Sequence, residues 1–167
     1  FSSVNAITIL DMSHNTFESM DEWKYLYACE HLSSLEDLRL AYIDPAHDAP
    51  GWLEGLENAA FTKQLRALDL GSCQLEEEEL EVLFRCDCSS LNSLDLTNNH
   101  ITFNTLKKTR EVFPDLDALT LANLSFEKQS IEPILALSRL KKLSISRGEL
   151  DHAHYEALGT APFAQNL

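Results

Sequence analysis

Two short pairs of side chains have the chemistry of metal ligands: Cys86 with Cys88, and His152 with His154, each pair split by one residue. A zinc ion needs about four such ligands on converging segments. The pairs lie in different parts of the chain and neither has a matching second pair nearby, so the spacing predicts buried thiols at a helix end and exposed imidazoles at a helix start. Asp11 with His14, and Asp95 with His100, put a carboxylate near an imidazole, the pairing used in general acid–base catalysis. That chemistry also calls for a nucleophile on a sharp elbow or an enclosed cleft, and the sequence has no GxSxG segment and no glycine-rich phosphate loop. No catalytic residue, cofactor or metal is therefore expected, and the chain reads as a non-enzyme.

Composition narrows the partners. Thirteen Lys and Arg stand against 27 Asp and Glu, a formal charge of -14. Such a field repels nucleic-acid phosphate and anionic lipid and favours a basic protein. Every apolar run is shorter than the roughly 18 to 20 residues a membrane helix needs. The four cysteines, Cys29, Cys73, Cys86 and Cys88, are too few and too uneven for a disulfide framework, which points to thiols in a reducing, cytoplasmic setting. The chain starts at Phe1 and not at Met, as a processed or trimmed chain does, and no signal-peptide pattern opens it. Asn123-Leu-Ser125 is a glycosylation sequon, a pattern short enough to recur by chance.

What would hold these residues in place is a repeat. Segments beginning at Ile7, Leu35, Leu65, Leu91, Leu116 and Leu140 share the template LxxLxLxxNxL, at successive intervals of 28, 30, 26, 25 and 24 residues. The fourth and sixth template positions are apolar in all six copies: Leu10 and Met12, Leu38 and Leu40, Leu68 and Leu70, Leu94 and Leu96, Leu119 and Leu121, Leu143 and Ile145. Alternation of that kind predicts a short strand with one buried face. The ninth position holds Asn15, Ile43, Cys73, Asn99, Leu124 and Gly148. There the chain turns out of the strand, and an inward polar group must bond the loop backbone, a task for Asn first and Cys second.

Between the strands, apolar residues three and four apart predict one-sided helices: Trp23, Leu26 and Tyr27; Trp52, Leu53 and Leu56; Leu80, Leu83 and Phe84; Ile131, Ile134 and Leu135; Tyr155 and Leu158. The linker around Leu106 and Val112 carries the weakest helical pattern. Glu76 to Glu79 precede Leu80, where a helix N-terminus favours negative charge, and Pro133 falls in a first turn.

With its template and linkers in view, the chain resembles the ribonuclease-inhibitor-like class of leucine-rich-repeat proteins, over about residues 4 to 167. The stretches ELDHAHYEALGTAPFAQNL and GLENAAFTKQLRALDL are also similar to bacterial arrays of the form LDLxxNxIGDxGxxALAxSPxLxxL. The resemblance implies an α/β solenoid, a curved right-handed superhelix with a parallel sheet on its concave face and a full helix per unit on its convex face. It implies a scaffold for binding proteins and carries no shared catalytic residues. Residues 1–167 form a single domain on this reading, with Leu167 where a seventh template would start, as in a segment of a longer array.

The template also sorts the exposed face. Its fifth position is Asp11, Arg39, Asp69, Asp95, Thr120 and Ser144, and its eighth is His14, Tyr42, Ser72, Asn98, Asn123 and Arg147. Asp69 and Asp95 stand on adjacent strands about 4.8 Å apart, beside the small residues Gly71, Ser72 and Thr97 that leave room for a partner's Lys or Arg. Tyr42 and Arg39 are residue types that often anchor interfaces. The expectation is a monomer that binds a protein on its concave face, with some preference for basic groups. The rival expectations are target recognition for a larger enzyme or effector, and a GTPase-activating regulator working from the rim of the arc.

Overall fold

The computed structural model describes residues 6–45, 51–102, 105–123, 131–147 and 150–166. Each template opens on a three-residue strand: β1 Ile9–Asp11, β3 Asp37–Arg39, β5 Ala67–Asp69, β6 Ser93–Asp95, β7 Ala118–Thr120 and β8 Lys142–Ser144. They form one parallel sheet in the order β1-β3-β5-β6-β7-β8. Register follows the leucines, with Leu10, Leu38, Leu68, Leu94, Leu119 and Leu143 side by side. A one-residue slip would turn every leucine to solvent, so the apolar pattern fixes the pairing. Two shorter parallel strands, β2 Thr16–Phe17 and β4 Asp44–Pro45, pair just beyond the first two turns.

The coils are tied to their neighbours by a recurring backbone ladder. The sixth residue of each template donates its N–H to the fifth carbonyl of the next, as in Leu40 to Asp69 at 2.8 Å and Leu70 to Asp95 at 3.0 Å. The eighth donates to the next seventh carbonyl, as in Tyr42 to Gly71 and Ser72 to Thr97, both at 2.7 Å. Stability in such an array is a sum of coil and nearest-neighbour terms.

Helical linkers close the core on the other side of the sheet. Three carry α-helices of eight or nine residues: α1 Met20–Tyr27, α2 Glu77–Arg85 and α5 His152–Thr160. In α2 the Glu76 N–H donates to the Glu79 carboxylate at 3.1 Å, the reciprocal half of a capping box, and Glu77 and Glu78 add two further acids to the first turn. Asp151 caps α5 by accepting the His154 N–H at 3.0 Å.

The other linkers depart from the full helix that the resemblance implies. The second has 3₁₀ turns at Glu54–Asn58 and Thr62–Gln64; the fourth has a 3₁₀ turn, Thr105–Lys108, running into the four-residue α3 Thr109–Val112; the fifth has the four-residue α4 Glu132–Leu135. A 3₁₀ helix rises about 2.0 Å per residue against 1.5 Å for an α-helix, so it spans a coil with fewer residues. Pro114 ends α3 by disfavouring helix at Phe113, and Pro133 sits in the first turn of α4. Tyr155 also differs from expectation: it is exposed, and α5 has no fully buried residue, because no described coil packs over its outer side.

Buried leucines from the strands meet Trp23, Trp52, Phe61, Phe113 and Phe163 from the linkers in one continuous core. Trp23 stacks on Phe17 with centroids 3.8 Å apart and lies 4.5 Å from Trp52. Gly55 lets this cluster close, since a Cβ built on it would stand 2.3 Å from the Tyr27 ring. Gly55→Ala is expected to force Tyr27 outward and destabilise by about 1 to 3 kcal/mol. Thermal unfolding measures this, and an unchanged melting temperature would show that the ring has room to move.

Candidate functional site

All twelve residues expected on the interaction face lie within the described structure, and the fold arranges them as two columns. Asp11, Arg39, Asp69, Asp95, Thr120 and Ser144 end the six strands and pair with one another in that order across the sheet. Their neighbours at the fourth and sixth positions point into the core, so period two sends these outward.

The carboxylates of this column also shape the turns. Asp11, Asp69 and Asp95 each accept the backbone N–H two residues on, from Ser13 at 3.0 Å, Gly71 at 2.9 Å and Thr97 at 2.8 Å. The bond to Ser13 lowers the Asp11 carboxyl below its ordinary value. Asp69 moves the other way: its half-burial raises it, and the nearby Asp95 charge adds to the rise while the Gly71 bond opposes it. Arg39 turns to Asp37 in its own strand, with hydrogen bonds of 3.2 and 2.7 Å.

The eighth column is unusual in its backbone. His14, Tyr42, Ser72, Asn98, Asn123 and Arg147 all have φ between 53° and 60°. Left-handed conformation suits Asn and costs most other L-residues roughly 1 to 2 kcal/mol. The presence of Asn98 and Asn123 was the sequence signal for it; the other four residue types hide it. Side chains along this column touch: His14 stacks on Tyr42 with centroids 4.7 Å apart and planes 10° apart, Asn98 donates to the Ser72 hydroxyl at 2.9 Å, and the Asn123 Nδ2 donates to the Asn98 side-chain Oδ1.

Tyr42→Asn removes the ring stack, worth about 0.5 to 1.5 kcal/mol, and relieves a left-handed strain of similar size. Stability is expected to change by less than about 1 kcal/mol. Tyr42→Val, β-branched at the same φ, is expected to lose about 2 kcal/mol. Denaturant unfolding of the two variants checks this, and equal losses would remove the backbone argument.

Behind the eighth column, Asn99 does what a ninth-position Asn was expected to do. Its Nδ2 donates to the Leu70 and Leu96 carbonyls at 2.9 and 3.0 Å, and its Oδ1 accepts from the Cys73 and Leu75 N–H groups at 3.2 and 3.0 Å. Cys73 fills the same place one repeat earlier, its thiol donating to the Leu40 carbonyl at 3.0 Å. Burial pushes that thiol up to about 12. Asn15 bonds the Met12 and Ser13 carbonyls, while Ile43 is simply buried. Leu124 and Gly148 lie outside the described residues, as does Ser125 of the sequon.

The cysteine pair and the histidine pair considered as metal ligands stand on different coils. Cys86 and Cys88 are buried just after α2, and His152 and His154 belong to α5. Among the described residues no group of three or more His, Cys, Asp or Glu is placed to hold a metal ion, and no helix is long and apolar enough to cross a membrane. A groove of about 630 Å³ opens on the helical side among Glu54, Glu76, Glu78, Glu79, Glu81 and Arg85.

No protein-family model matches the chain, and no curated protein matches it in sequence. Solved structures do. An internalin from Listeria monocytogenes aligns with a TM-score of 0.44 at 17% identity, over 94% of this chain and 58% of its own. A leucine-rich-repeat protein from Leptospira interrogans aligns with a TM-score of 0.50 at 18% identity, over 91% of this chain and 41% of its own. This chain thus spans only part of the length of either. The six parallel strands, the leucine register and the match to the Leptospira protein establish the fold of the chain as a leucine-rich-repeat solenoid.

Proposed function

We propose that this chain is a protein-interaction module that engages a basic protein partner through the face of its six-stranded sheet opposite the helices. The supporting observation is the fifth and eighth columns, a continuous row of polar, aromatic and charged groups held in register by backbone pairing and absent from the core. In the first four repeats this face carries four carboxylates, Asp11, Asp37, Asp69 and Asp95, against the one guanidinium of Arg39. Charge of one sign speeds and selects partners of the other. Among the described residues the face is an open sheet surface, so the reading assigns the chain no catalytic step, cofactor or metal. It places a monomer in a reducing compartment, a setting that suits the four free cysteines.

Affinity capture with quantitative mass spectrometry tests the reading when three baits are compared. Wild type and a convex double variant, Glu78→Lys with Glu81→Lys, are expected to recover the same proteins. The double variant Asp69→Lys with Asp95→Lys is expected to lose them while keeping its far-ultraviolet circular dichroism. Loss from the convex variant alone would move the site to the helical side.

A further inference from the structure

Within that face one spot combines shape, an exposed ring and charge. Tyr42 is 56% exposed although it sits in a strained backbone conformation and is stacked on one side by His14. The next residue of its column is Ser72, whose hydroxymethyl is too short to cover a ring, so among the described residues no ring equivalent to His14 stacks on the other side. The Tyr42 N–H is bonded to the carbonyl of Gly71, which sets the two residues' backbones side by side on neighbouring coils.

Gly71 leaves a notch. A Cβ at that position would stand 3.2 Å from Asp69 Oδ1 and 3.7 Å from Asp95 Oδ1, with the Thr97 Cβ 3.8 Å away. Its φ lies outside the left-handed region, so the backbone does not demand glycine there; what glycine provides is space between two carboxylates. Oδ1 of each carboxylate is engaged by a backbone N–H, and Oδ2 has no donor among the described residues. Arg39, the neighbouring cation, is turned to Asp37.

Resting on the concave-face reading, we propose that this notch is the seat of an arginine side chain of the protein partner, its guanidinium stacked on Tyr42 and hydrogen-bonded to Asp69 and Asp95. A planar guanidinium stacks on an aromatic face and donates two parallel hydrogen bonds to carboxylates, which a lysine ammonium cannot do. A cation there also relieves the half-buried, mutually repelling charges of Asp69 and Asp95.

Two-dimensional amide NMR of the whole chain tests this with blocked tripeptides carrying central arginine, lysine or citrulline, the last a neutral near-isostere of arginine. Arginine is expected to shift the Gly71, Ser72 and Thr97 amides saturably, lysine several-fold more weakly and citrulline not at all. Asp69→Asn and Asp95→Asn keep an oxygen for the backbone N–H and so keep the turn; each is expected to weaken arginine binding about tenfold, equivalent to about 1.4 kcal/mol. Gly71→Ala, which fills the notch, and Tyr42→Asn are expected to weaken it several-fold. Equal shifts with citrulline, shifts confined to the Glu76–Glu81 side, or no saturable shift would overturn the seat. If the seat fails while captured proteins are still lost from the Asp69→Lys, Asp95→Lys bait, the face reading stands alone; if that bait loses nothing, the face reading fails too.

Discussion

Asn99→Ala is expected to destabilise the chain by about 3 to 5 kcal/mol and to loosen two repeats at once. The Asn99 amide is almost fully buried and joins the Leu70 and Leu96 carbonyls to the Cys73 and Leu75 N–H groups. Truncation leaves these four backbone groups without that partner in a place water reaches poorly, at about 1 to 3 kcal/mol for each group left unsatisfied. The total is held below the sum because loops relax and a water can enter the space vacated. Asn99→Cys should lose less, since Cys73 shows how a thiol can bond one carbonyl of the turn. Asn99→Asp should lose about as much as Ala, because a carboxylate repels the two carbonyls that the amide satisfies. Urea unfolding of the three variants gives the order directly, and a Cys variant no better than Ala would remove the analogy between the third and fourth repeats.

Leu94→Ala is expected to cost about 2 to 5 kcal/mol. Leu94 is 1% exposed and stands between Leu68 and Leu119 in the leucine row. The lost methyl groups take their transfer energy with them and leave a cavity that stiff strands on both sides cannot fill. Because coils are stabilised by their neighbours, the loss should spread to β5 and β7 and fade toward β1 and β8. Native-state hydrogen exchange reads that gradient; a loss of protection confined to β6 would contradict neighbour coupling.

How much of this was legible in the residues depends on what each position is doing. The strands and their register were, because leucines at the fourth and sixth positions have one physical role, burial, and only one pairing buries them all. The Asn99 turn was legible for a similar reason: few side chains can both donate to and accept from a loop backbone. The linkers were less so. Trp52, Leu53 and Leu56 have helical spacing yet precede and enter a 3₁₀ turn, since three- and four-residue spacings serve both helix types and the length of coil to be spanned decides between them. The left-handed eighth column was hidden because only Asn98 and Asn123 advertise it, while Tyr42 and Arg147 tolerate it at a cost.

On the face itself, residue types identified the candidates and coordinates changed their meaning. Asp11, Asp69 and Asp95 looked like free charges, and each also closes its own turn through one oxygen. Tyr42 and Arg39 looked like a joint anchor; Arg39 is instead held by Asp37 and Tyr42 is paired with His14. Neither contact was visible in one dimension, because both depend on which side of its backbone a long side chain turns toward.

The sharpest test of the concave face as the working surface is hydrogen–deuterium exchange of the chain alone and with a captured partner. Slower exchange in the turns that carry Tyr42, Gly71, Ser72, Thr97 and Asn98, with α2 unaffected, is the predicted footprint. Protection concentrated on α2 and the Glu54–Asn58 turn, with those sheet-side turns unchanged, would contradict it.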